Sequence, residues 1–275
     1  MAVDYRLPLP ASLMGAWTAI GLSALVLPIL VILPVSFSSG SIIAFPLPGF
    51  STHWYHEATT SPAWRDALAN SLKVGAAATA LATFIGTGAA LGIDRLHGRW
   101  RLAALLITLL PLVVPIVILA LGAYFTLALV GLANSLSGVM IFHAALGLPY
   151  VTLSVLAALA ALDRSLLRAS ASLGAPPLAT FWRVTLPIVA PGVATGAVFA
   201  FATSFDEVVV ATFVTAPAQR TLPLEMFSGI KENTGPIVTA AASLLLLLAV
   251  GFLLAVEMLR RRAWRLGQPI ESLEI

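Results

Sequence analysis

The sequence predicts an all-α membrane protein: a polytopic bundle of six transmembrane helices, both termini in the cytoplasm, with a short cytoplasmic helix between the fourth and fifth spans. Three observations carry that prediction. Of 275 residues, 59% are hydrophobic and 10% are charged, against roughly a quarter charged in an ordinary soluble domain. The apolar residues fall in stretches long enough for a helix to cross the hydrocarbon core, which takes about 20 residues at 1.5 Å rise. Basic residues gather at alternate ends of those stretches, as membrane topology requires. The net charge of +3 is explained by that placement, so nucleic acid is not expected as a partner. With no cysteine, a disulfide framework, a thiolate metal site and a cysteine nucleophile are all excluded.

Residues 14–37 form the first span. A cleaved signal peptide would have a shorter apolar core, a more basic start than Arg6 beside Asp4, and an A-x-A site. Residues 38–64 are polar and aromatic, with Phe45, Phe50, Trp54, Tyr55 and Trp64 suited to the membrane boundary. His53, His56 and Glu57 stand in the order H-x-x-H-E. That matches neither zinc-protease arrangement, and interfacial packing is expected in place of metal binding.

The second span covers 67–93, with Gly88 and Gly92 as a small-residue pair for close helix approach. A compact basic loop, 94–101, leads to a third span over 102–130 that Pro111 and Pro115 should kink. The fourth span runs from the break at 131–135 to about Ala161 and holds His143, Pro149 and Tyr150. A histidine there is a proton relay or solute contact, or it hydrogen-bonds a neighbouring helix; the second is the commoner role.

Residues 162–192 interrupt the apolar pattern. Leu162, Leu166, Ala169 and Leu173 recur at helical spacing, and Gly174-Ala175-Pro176-Pro177 stops that helix. Phe181, Val184 and Ile188 continue an apolar stripe into the fifth span, 188–214, where Gly192 and Gly196 form another small pair. The fifth span contains Ser204, Asp206 and Glu207. Each acid at a helix centre costs roughly 2.5–3.5 kcal/mol on insertion scales, so the pair faces water, a partner charge or a solute, or reaches solvent at the outer end of the span. An external segment, 215–236, carries Arg220, Glu225 and Lys231, and the last span, 237–258, ends on Arg260, Arg261, Arg262 and Arg265.

Counting fixes the orientation. One side collects Arg6, Arg95, Arg99, Arg101, Arg164, Arg168, Arg183, Arg260, Arg261, Arg262 and Arg265, leaving Arg65, Lys73, Arg220 and Lys231 of the 15 basic residues. The basic side is cytoplasmic. No G-x-x-x-x-G-K-[ST] occurs, so the chain lacks a P-loop and should not hydrolyse ATP itself.

The run Arg168-Ala169-Ser170, Leu173-Gly174-Ala175, Phe181, Val184-Thr185-Leu186-Pro187 and Pro191-Gly192 resembles the cytoplasmic EAA loop of binding-protein-dependent ABC transporter permeases. The likeness extends to Asn70-Ser71, Gly98-Arg99, Pro111-Leu112-Val113-Val114-Pro115, Pro149-Tyr150-Val151, Ser204-Phe205-Asp206-Glu207 and Thr221-Leu222-Pro223. It is most similar to the second permease subunit of spermidine/putrescine-type importers. The resemblance implies a multi-pass subunit of the bacterial inner membrane, itself no enzyme. It implies an N-terminal region over 1–64, a permease core over 65–262 with a coupling loop at 162–187, and a cytoplasmic tail over 263–275. It also implies partners: a second permease subunit, two ATPase subunits that bind the ATP and magnesium, a periplasmic substrate-binding protein and lipid. The chain itself is expected to hold neither cofactor nor metal.

In such a permease Leu166, Arg168, Ala169, Ser170, Leu173, Gly174, Ala175, Phe181 and Pro187 would couple to the ATPase. Ser204, Asp206, Glu207, Glu225 and Tyr150 would line the path of a small, cationic, polyamine-like solute. The sequence departs from the family pattern at Arg168, which stands where the pattern has an acid, and at Ser170, which replaces its second alanine. Any ion pair made by that acid is lost or reversed here. Two other classes use the same residues. A secondary transporter or channel would need no ATPase partner, and an intramembrane hydrolase would be built on Ser204 and His143.

Overall fold

The computed structural model describes residues 11–231 and 235–265, and the side chains of 13–231, 235–251 and 258. Arg6, Glu232, the 266–275 tail and the side chains of the Arg260–Arg265 basic run therefore lie outside what is described. Every regular element among the described residues is helical, apart from one isolated bridge between Ser38 and Phe50. The chain divides into two compact units, residues 1–61 with 228–261 and residues 62–227 with 262–275.

In the first unit, α1 (Ala11–Ser36) is a long apolar helix whose side chains are almost all exposed, Leu25 and Trp17 among them. That exposure suits a helix solvated by lipid, where apolar surface carries no penalty. At its end Ser36 Oγ and Tyr55 Oη share a 2.6 Å hydrogen bond, and the rings of Phe37 and Tyr55 lie 4.9 Å apart. Tyr55 belongs to α2 (His53–Thr60), on which His53 Nε2 and Glu57 Oε2 form an exposed i,i+4 pair at 3.4 Å. The aromatic segment thus folds back on the end of the first helix. The unit also contains α12 (Ile237–Arg265) as far as residue 261.

The second unit is built on three long helices: α3 (Pro62–Arg95), α6 (Leu136–Ala161) and α9 (Leu186–Phe205). Their mutual packing makes the core, with Ala78, Ala82, Val151, Val155, Val189 and Ala200 buried between them. Glycine allows the helices to approach. A Cβ on Gly196 would lie 2.6 Å from the Val151 Cα, and one on Gly86 would lie 2.8 Å from the Val151 Cβ. Small and β-branched residues make up most of the core between the helices, and contact at this range adds to their attraction. Gly88 and Gly92 by contrast meet nothing within 4 Å; the close approach is at Gly86, two residues before that small-residue pair and on another face of α3.

The third span is not the single kinked helix expected. It is two helices, α4 (Gly98–Val113) and α5 (Ile116–Leu129), bent by 102°. The break falls at the second proline only. Val114 is extended at φ −73°, ψ 132°, the conformation a following proline imposes, and Pro115 O then accepts from Ile118 and Leu119 N–H to start α5. Pro111 stays inside α4.

The fifth span also differs. Helix α9 ends at Phe205, and a short α10 (Val209–Val214) follows in place of continued helix to 214. Among the described residues, four helices are long and apolar enough to span a membrane, five if the bent pair is one span, and α12 is apolar over Ile237–Gly251.

Candidate functional site

Two regions gather the residues singled out by the sequence. The first is the knob between α6 and α9. Asp163 starts α7 (Arg164–Ser172): its Oδ1 accepts from Ser165 N–H at 2.8 Å and its Oδ2 from Ser165 Oγ at 2.6 Å. The Ser165 hydroxyl first, then its amide, hold the Asp163 carboxyl below the ordinary aspartate range. Gly174 ends α7 with φ +73°, a conformation that favours glycine.

Pro177 opens the single turn α8 (Pro177–Thr180), and a π-turn over Phe181–Thr185 joins it to α9, where Pro187 fills an early helical position. Ser170 Oγ and Thr180 Oγ1 lie 2.7 Å apart and staple α7 to α8. Arg164 ties the knob to the end of α3 through both oxygens of Asp94, at 2.8 and 2.9 Å. The sequence analysis missed that pair, since its partners are 70 residues apart. The knob turns an apolar surface outward: Leu173 is 88% exposed, Leu178 69% and Trp182 60%, with Leu166, Arg168 and Ala169 also exposed. Ala175 and Phe181 are half-buried.

The second region surrounds the break between α9 and α10. His143 is fully buried on α6, with Nδ1 2.9 Å from Ser204 Oγ and Nε2 3.3 Å from Glu207 Oε2. The Nε2 contact lies off the line a hydrogen bond needs. Glu207 closes the start of α10. Its Oε1 accepts from Val209 and Val210 N–H at 2.7 and 2.9 Å, and its Oε2 from Ala211 N–H at 3.2 Å. These are orphan amides of a helix N-terminus, and an anionic acceptor there also complements the helix dipole.

The adjacent Asp206 has a different position. Its side chain makes no hydrogen bond or ion pair among the described residues and is exposed in a groove of about 520 Å³, whose lining also includes Ile116, Tyr150, Thr203, Val208 and part of Glu207. The Tyr150 ring stacks near Phe199, centroids 6.2 Å apart. The acidic pair read as a unit in the sequence is therefore divided, one carboxylate capping backbone and the other facing open space.

Glu225 is elsewhere, in α11 (Leu222–Lys231), with Arg220 Nη1 3.3 Å from its Oε2. They border a separate hollow of about 310 Å³ with Asp66 and Asn70. Asn70 Nδ2 donates to Arg220 O at 3.2 Å, and Ser71 Oγ accepts from Leu222 N–H at 2.7 Å. The Asn-Ser pair in the third turn of α3 thus fixes the Arg220–Leu222 segment by side-chain contacts to its backbone.

Comparison with known proteins places this geometry. Residues 82–265 match the family model of the binding-protein-dependent transport system inner membrane component. The chain is 34% identical over 238 residues to the putrescine transport system permease protein PotI of Escherichia coli K12, covering 82% of this chain and 83% of that one. It is 30% identical over 247 residues to the spermidine/putrescine permease PotC of the same organism, covering 90% and 93%. The molybdenum transport permease ModB of Mycobacterium bovis is 35% identical over 202 residues, covering 68% and 76%. A bacterial ABC transporter involved in import of the acidic polysaccharide alginate shares the fold at TM-score 0.64 and 16% identity, over 93% of this chain and 99% of that one. The knob and the divided acidic pair both fall inside the matched residues, and the chain belongs to the binding-protein-dependent transport system inner membrane component family, as a permease subunit of an ABC importer.

Proposed function

We propose that this subunit forms half of the translocation path for a small organic cation of polyamine type, with Asp206 as the carboxylate that meets the solute. The reading includes six spans with both termini in the cytoplasm, the bent α4–α5 pair and α12 completing the count. It includes a second permease subunit, a periplasmic binding protein that delivers the solute, and two ATPase subunits that dock on the α7–α8 knob and drive alternating access.

The observation that carries the solute class is the state of Asp206. A carboxylate in a mainly apolar groove, beside a tyrosine ring and without a paired cation among the described residues, lowers the cost of bringing an ammonium group out of water. The relatives named for putrescine and spermidine favour the same class, and a relative named for molybdenum shows why the groove chemistry is needed to choose. Glu207 and Ser204 belong to the path as its support, holding the backbone on which Asp206 stands. Glu225 lies in the other hollow and acts on the outer approach to the path.

ATP-driven uptake of labelled putrescine into vesicles holding the full assembly tests this. Asp206→Asn should lower uptake by about ten-fold or more, the loss of a desolvated charge contact of 1.4 kcal/mol or above, with ATPase subunits still bound. Uptake unchanged from the parent chain refutes the assignment.

A further inference from the structure

We propose that the ATPase subunit receiving the knob presents a carboxylate to Arg168, so that the permease supplies the cation of the docking ion pair. The inference rests on the knob being the ATPase dock and names the chemistry of that partner. The exposed face of α7 carries Ser165, Arg168, Ala169 and Ser172, with Leu173 at its end; Leu167 and Ser170 turn inward. Arg168 is the charged side chain in the middle of α7, whereas Arg164 at its start is held by Asp94. Arg168 acts on Asp163 through space, but among the described residues it has no carboxylate within ion-pair distance.

Among the described residues, no carboxylate on this side of the chain is free to pair with it. The segments 94–101 and 163–183 hold Arg95, Arg99, Arg101, Arg164, Arg168 and Arg183 against Asp94 and Asp163 alone. Asp94 is bound through both oxygens by Arg164, and both oxygens of Asp163 cap α7. The excess positive charge is thus presented outward, next to the exposed Leu173, Leu178 and Trp182.

A partner that covers this surface must bury the leucines and the tryptophan, and in doing so takes the Arg168 guanidinium out of water. That is unfavourable unless an acceptor meets it, and a carboxylate matches its planar donors best. The complementary surface is an apolar groove with an aspartate or glutamate at the Arg168 position. An anionic lipid headgroup could neutralise the same charge but would leave Leu173 and Leu178 beside water.

The test uses the assembled transporter and the amount of ATPase subunit retained on the permease through purification. Arg168→Glu should reduce retention by about ten-fold or more, in the range of interfacial charge pairs, and Arg168→Lys should keep most of it. Exchanging the facing acid of the ATPase for arginine should restore the Arg168→Glu complex. That acid is found by cross-linking from Arg168→Cys, a clean probe in a chain without cysteine. Loss of retention that no ATPase charge exchange restores, or that anionic lipid alone restores, overturns the proposal. Leu173→Asp separates the two levels: if it abolishes retention while Arg168→Glu changes nothing, the charge assignment fails alone. If neither changes retention, the docking role of the knob fails with it.

Discussion

Replacing Glu207 by alanine removes the acceptor of three backbone amides at once. The Val210 and Ala211 amides lie at residues with no exposed surface, and Glu207 itself is 7% exposed, so water cannot take the place of the carboxylate without opening the packing of α10 on α5. Each buried donor left unpaired costs about 1–3 kcal/mol. Breaking a buried charged contact as a whole costs about 3–5 kcal/mol, less than the sum because neighbours relax. Thermal unfolding of the purified subunit in nanodiscs should then fall by roughly 6–20 °C, using 2–4 °C per kcal/mol for a chain of this size.

Glu207→Gln keeps one oxygen for Val209 and Val210 and turns a donor toward Ala211 N–H, so about 1–3 kcal/mol is lost instead. Asp206→Asn removes no internal contact and should stay within about 0.5 kcal/mol of the parent chain. Hydrogen exchange adds a local readout, with Val210 and Ala211 amides losing protection in Glu207→Ala. A Glu207→Ala protein that melts with the parent and keeps those amides protected would refute the capping role and the division of the acidic pair built on it.

Gly196→Ala should destabilise the bundle by about 1–3 kcal/mol as an overpacked contact against the Val151 backbone, while Gly88→Ala should leave the melting temperature unchanged or slightly raised. A thermal shift series on the two variants decides it. The Asp163 cap makes α7 pH-sensitive. Because hydrogen bonds to Ser165 hold its pKa below the unfolded value, its contribution is complete above the ordinary aspartate range and is lost as pH falls through the lowered value. Hydrogen exchange at Ser165 should therefore speed up on acidification in the parent chain, and be fast and pH-insensitive, after correction for intrinsic exchange, in Asp163→Ala.

The helices and the knob were legible because their signals are local. Apolar runs mark α3, α6 and α9, and Gly174 before two prolines marks the end of α7, where the structure has its positive φ. The 102° turn between α4 and α5 was not. Pro111 and Pro115 look alike in sequence, yet one is absorbed into a helix and the other ends it. Which does which depends on whether neighbouring elements hold the chain on its new course, as α10 holds α5 and α6 holds α4. His143 was legible as a residue needing a partner; that its partners are Ser204 and Glu207 needs the contact of α6 with the end of α9.

Asp206 and Glu207 are the sharpest case. In sequence they are neighbours of equal charge, and one argument about the cost of buried carboxylates covered both. What separates them is the break after Phe205. A helix that stops inside an apolar region frees backbone amides and carbonyls, and such a break persists only where the chain itself satisfies them. Glu207 satisfies three amides by turning back over the start of α10, with His143 set against its outer oxygen. That turn follows the end of α9 at Phe205 and leaves Asp206 directed to the groove, beside Ile116 from the other broken helix pair. The free carboxylate is therefore a consequence of the bound one.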